Sequence, residues 1–78
     1  MTRQIMTLSN VKKVHVVSDG DNKGWFNYES GVAYEAGTLV MDSNSVFWCS
    51  IVPIEASDTD TPLDAPDKWA WVPFINLS

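Results

Sequence analysis

His15 and Cys49 are the single histidine and the single cysteine of this 78-residue sequence, so any chemistry must be built from carboxylates and aromatic rings. No order of nucleophile, histidine and acid can be read from such a set, and zinc would find too few soft ligands. The ten acids offer three places where a cation could sit. Ser18 to Gly24 opens like a calcium loop at Asp19 and Asp21, but the glycine and glutamate that complete such a loop do not follow. Asp58 with Asp60, and Asp64 with Asp67, lie in an acidic, proline-bearing stretch, where solvated charge and turn capping account for them. Glycoside hydrolysis needs two carboxyls roughly 5–10 Å apart across a cleft, and so short a chain has little scaffold for one. The sequence is therefore read as a non-enzyme, with no cofactor and no metal. His15 is read as a strand-face histidine and Cys49 as a small core hydrophobe.

The four tryptophans are the other resource. Saccharide recognition needs flat aromatic faces with convergent hydrogen-bonding groups, and Trp48, Trp71 and Trp25 are the candidate rings for it. Strand alternation places Trp48 on the solvent or interface side, whereas core burial is the first reading for Trp25 and Trp71. Ile5, Phe74, Ile75 and Leu77, with Trp48, are the candidate interface residues, because an apolar tail on a small chain calls for a partner or a groove.

These rings need β elements to hold them. Tyr34–Met41 and Val46–Val52 are β-branched, apolar runs on either side of Asp42-Ser43-Asn44-Ser45, which predicts a hairpin. In its second arm Phe47, Cys49 and Ile51 share one face, predicted to be core, and Val46, Trp48 and Ser50 share the other. Val11–Val17 alternates and predicts a strand. Ser18–Gly24 closes it with turn formers, and Gly37 suits a tight turn or bulge. Pro53 stops pairing, 55–68 is a loop, and Trp69–Val72 predicts a last short strand before Pro73. No 3.6-residue periodicity predicts a helix. The expected fold is all-β: a small antiparallel sheet or hairpin domain with an N-terminal strand or arm and an apolar C-terminal tail. Residues 1–24 form the arm or strand and 25–78 the β module, within one compact domain.

Charge narrows the partners. Residues 1–24 carry four cations against two acids, and the remainder one cation against eight acids, giving −5 overall. Nucleic-acid binding depends on cationic groups, so none is expected. There is no apolar run of roughly 18 residues and no signal peptide, so neither membrane nor secretion is expected. The chain reads as a complete small product made in a cytosol. With one cysteine it has no internal disulfide, and a core this small calls for good packing or oligomerisation.

From Tyr34 to Val72, about half the chain, the sequence resembles the small chitin- and cellulose-binding modules of carbohydrate-binding family 5/12. Similar modules recur in bacteriophage tail, fibre and capsid-accessory proteins. Tyr34, Gly37, Thr38 and Val40 match the first part of the family pattern. Phe47 stands at its second tyrosine and Cys49 at its small alanine, while Pro62 and Trp69 match its loop and closing tryptophan. The resemblance implies a small three-stranded sheet with aromatic packing. It implies sugar binding through exposed aromatics just beyond Cys49, but Ile51, Val52 and Pro53 stand there, and Asn44 and Ser45 replace the turn glycine. The expected function is a bacteriophage virion structural or accessory protein: a capsid decoration, head-fibre or tail-associated chain docking through its termini. Its expected partners are other virion proteins or further copies of itself. The alternative is a glycan-binding module that aids attachment to a host surface.

Overall fold

The computed structural model describes residues 3–73. Its centre is a four-stranded mixed sheet in the order β1 (Lys13–Val14), β2 (Thr38–Met41), β3 (Phe47–Ser50) and β4 (Trp69–Trp71). β2, β3 and β4 are antiparallel, and β1 lies parallel to β2. The all-β expectation stands, but the sheet is not purely antiparallel. The reason lies in the first residues of the chain. Ile5 forms a parallel bridge with Trp71 along the outer side of β4. The chain then turns through a short 3-10 segment, Leu8–Asn10, closed by the Asn10 side chain accepting from the Thr7 N–H. It crosses the sheet and enters β1 at the opposite edge. One strap thus lines both edges of a sheet made by the later residues, with Ile5 beside β4 and Lys13–Val14 beside β2.

The predicted hairpin forms at the predicted turn. Asp42 organises it. Its Oδ1 accepts from the N–H of Asn44 and of Val46, and its Oδ2 accepts from Trp48 Nε1 at 2.9 Å. Ser45 takes φ 62°, the left-handed conformation that favours glycine, at the place where the resemblance implied one. Gly37, φ 87°, opens β2 under Lys12, whose side-chain carbons lie 3.2 Å from where a Cβ would stand. A side chain there would crowd the Lys12 side chain and strain the left-handed backbone.

Both sheet faces are covered. On one, Val40, Trp48 and Trp69 pack with Tyr34, Ile54 and Ala65 from the flanking loops. On the other, Leu39, Cys49 and Val72 are covered by Met6 and Val11 of the strap and by Phe26 and Phe47. The Phe26 and Phe47 rings stack 5.5 Å apart. Burial on both sides is why Trp48 and Cys49, neighbours in sequence, are both core residues. At the β1 margin Val14 and Val16 are exposed, while Val17, bonded to the Trp25 carbonyl in the turn that follows, is buried.

Tyr34 joins the core to the loop above it. Its hydroxyl donates to the Glu29 carbonyl at 2.9 Å and accepts the Glu29 N–H at 2.8 Å. Its ring meets Trp69 edge-on at 5.5 Å. Burial pushes the hydroxyl up to about 12, and burial also raises Tyr28. A folded value above the ordinary one near 10 means that this stabilisation is complete below pH 10. It is lost as the pH rises from 10 towards about 12. Urea midpoints should therefore fall across that window, and Tyr34→Phe should flatten the fall while lowering the midpoint at neutral pH. Identical alkaline slopes in the two proteins would assign the titration to another group.

Candidate functional site

The three tryptophans expected at a ligand are placed almost the reverse of what alternation suggests. Trp48 is 4% exposed. The Arg3 guanidinium sits 4.4 Å above the centre of its ring, and its indole N–H is taken by Asp42. The ring is neither a platform nor an interface, because the flanking loops and the strap cover the face it was expected to present. Trp25 and Trp71, expected in the core, are 57% and 41% exposed. Trp71 lies at the margin of its face, where the sheet ends against the strap. Trp25 ends the turn after Ser18, its carbonyl accepting from Val17 N–H. Among the described residues no aromatic contact joins any two of these three rings. The interface residues Phe74, Ile75 and Leu77 lie outside the described residues.

What the structure does assemble is an edge patch. Ile5, 64% exposed, stands beside Trp71 through the bridge that pairs them. Arg3, two residues earlier, turns inward. It donates to the carbonyls of Pro62, Leu63 and Trp69 at 3.0, 2.6 and 2.8 Å, tying the strap to the 3-10 turn Pro62–Asp64. Leu63, on that turn, is also exposed. An arginine over an aromatic face with three acceptors in its fork is fixed by geometry as well as charge. Sequence reasoning singles out Ile5 but neither Arg3 nor Leu63. A lone cation ahead of an irregular apolar stretch is the signal that could have found them.

Two hollows flank the sheet. One, about 340 Å³, lies between the hairpin turn and the Pro62 loop. It is lined by Tyr28, Asn22, Asn27, Asn44, Ser43 and Thr61 among others. The amides of the three asparagines make no side-chain hydrogen bond to another described residue, which leaves donors and acceptors facing the hollow. The other, about 620 Å³, is open and lined by Lys13, His15, Tyr34, Glu35 and Glu55 among others. There His15 Nε2 lies 2.7 Å from Glu29 Oε2, and its ring meets Tyr34 edge-on at 4.9 Å.

Asp58 and Asp60 of the 55–68 loop hold the loop to Lys68. Lys68 donates to Asp58 and lies 3.9 Å from Asp60. The hydrogen bond holds the Asp58 carboxyl below its usual range and the Lys68 ammonium above its own. Among the described residues no three histidine, cysteine or carboxylate side chains converge as a metal site. Burial raises the Cys49 thiol, which disfavours its thiolate. No helix among the described residues is long and apolar enough to cross a membrane. Compared with known protein families, curated proteins and solved structures, the chain matches none.

Proposed function

We propose that this chain is a structural or accessory protein of a bacteriophage virion, made in the host cytoplasm, that docks on neighbouring particle proteins through the ends of its chain. The observation that carries the reading is the edge patch: Ile5 and Trp71 present apolar surface side by side. Val72 and Pro73 lead from that same edge into the apolar sequence of Phe74, Ile75 and Leu77. Tryptophan is enriched at protein interfaces, and a small compact scaffold with apolar surface gathered at one margin suits assembly. The resemblance of Tyr34–Val72 to carbohydrate-binding family 5/12 modules, which recur in phage particles, supports the setting. The test is mass spectrometry of density-gradient fractions from the source. Constant stoichiometry with a large particle is the expected result, and a double variant Ile5→Ser, Trp71→Ser should stay folded but leave the particle fractions. A chain found only free and at low mass would sink the reading.

The 340 Å³ hollow favours a second reading, glycan binding. Tyr28 and three asparagines on one concave surface offer the ring and the hydrogen-bonding groups that a saccharide requires. If it holds, Asn44→Ala and Asn27→Ala should each weaken retention on a glycan array about 10-fold, the effect of losing one to two hydrogen bonds. Wild-type protein that binds no glycan on the array would remove it.

A further inference from the structure

Among the described residues each margin of the sheet is an open strand edge, and the two margins match. At the strap edge the bonds to Trp71 are made by Gln4 and Met6: the Trp71 N–H donates to the Gln4 carbonyl, and the Met6 N–H to the Trp71 carbonyl. The N–H and carbonyl of Ile5, between them, point away from the sheet. At the other edge Lys13 and His15 donate to the carbonyls of Gly37 and Leu39, so the backbone groups of Val14 point outward. Neither residue has a backbone partner among the described residues.

Direction and face also agree. β1 runs parallel to β2, β2 and β4 are each antiparallel to β3, and the Ile5 segment runs parallel to β4. The two outer segments therefore point the same way. Val14 is registered with Leu39, on the face that Met6 covers. Gln4 shares that face with Met6 by the two-residue alternation of a strand. We propose that the Ile5 edge of one copy pairs in parallel with the β1 edge of a second copy, head to tail, with Val14 opposite Gln4. The Val14 N–H then meets the Arg3 carbonyl, the Ile5 N–H meets the Val14 carbonyl, and the four-stranded sheet continues from copy to copy.

Charge selects the same partner. Lys12 and Lys13 are exposed at the β1 edge. The Ile5 edge is flanked by exposed Asp64, on the turn that Arg3 holds, and by exposed Asp67 just beyond it. Lysines beside a strand edge discourage pairing with a like or neutral edge; opposite these acids they favour it. This inference rests on the reading of the chain as an assembly protein and names its neighbour as another copy of itself. A heterologous contact leaves a free edge at each end, so it builds rings or filaments and does not stop at a dimer.

The experiment is sedimentation of the full chain at low salt, with two single-edge variants at exposed positions. Ile5→Lys places a cation beside Lys13 of the next copy, and Val14→Asp places a carboxylate against Gln4 and the apolar Met6 of the neighbouring edge. Wild type should grow in mass with concentration, and the growth should shrink with added salt. Each variant alone should be monomeric, with the circular dichroism of the wild type. Their equimolar mixture should form a one-to-one dimer, because it retains one native edge from each. A wild type that stays monomeric at millimolar concentration overturns the proposal, and if that protein still travels with a particle, docking on other virion proteins survives. Dimers formed by either variant alone would also overturn it, since head-to-tail pairing needs both edges.

Discussion

A chain lacking residues 1–7 is expected to lose cooperative folding. Three contributions leave together. Arg3 no longer bonds the Pro62, Leu63 and Trp69 carbonyls, and hydrogen bonds to a charged group contribute about 1.5–3 kcal/mol each at most, less where solvent reaches them. Met6 no longer covers Leu39, Cys49 and Val72, a loss of about 1–2 kcal/mol for a partly buried side chain. Trp71 loses both backbone partners at the sheet edge. The total approaches the stability of about 5 kcal/mol expected at the lower end for a small domain. Urea melts followed by near-ultraviolet circular dichroism would decide it: the truncated chain should show no sigmoidal transition. Arg3→Lys separates charge from shape. Lysine keeps the cation but lacks the planar fork and the stacking on Trp48, so a drop of about 2 kcal/mol is expected. Wild-type midpoints in both proteins would show that the strap is only a passenger on the sheet.

The second large effect belongs to Asp42. Asp42→Ala removes three acceptors at once. It frees the turn and leaves the Trp48 indole N–H unpaired beneath Arg3 in a largely closed site. An unsatisfied buried donor costs about 1–3 kcal/mol, and the two turn bonds add about 1 kcal/mol each, so a loss of about 3–5 kcal/mol is expected. Asp42→Asn is the sharper probe. If its oxygen keeps the two backbone bonds, its NH2 group meets the indole N–H donor to donor, for a loss of about 1–2 kcal/mol. Trp48→Phe removes that clash, so Asp42→Asn should cost much less when combined with Trp48→Phe than alone. Additive losses in this double-mutant cycle would mean that the Asp42–Trp48 bond contributes nothing.

The elements are more legible than their faces. Turn chemistry at Asp42-Ser43-Asn44-Ser45 announces the hairpin, and the run from Trp69 to Trp71 announces the closing strand. Alternation then fails at Trp48, because it assumes one wet face and one dry one. The layer over Trp48 comes from Tyr34, Ile54 and Ala65 of the flanking loops, with Arg3 above the ring, and loop residues have no period that announces a covering layer. Val11–Val17 alternates like a full strand, yet only Lys13–Val14 pair as one, since the chain leaves the sheet to form the turn that ends at Trp25. The asparagines around Tyr28 are invisible in the sequence for a related reason: Asn22 and Asn44 come from two separate turns and Asn27 from a segment bridged to Met41, and only the tertiary fold sets them on one hollow.

The strap also fixes a timetable. Arg3 grips Trp69 across 66 positions of sequence. At roughly 5–20 residues per second of synthesis, the first residues to emerge wait about 3–13 s before their partners exist. Until then the face that Met6 and Val11 cover lacks Val72, and the strap has no β4 edge to pair with. Contacts this distant in sequence also slow folding, towards the range of milliseconds to seconds. The nascent protein therefore closes as a unit only when the fourth strand arrives.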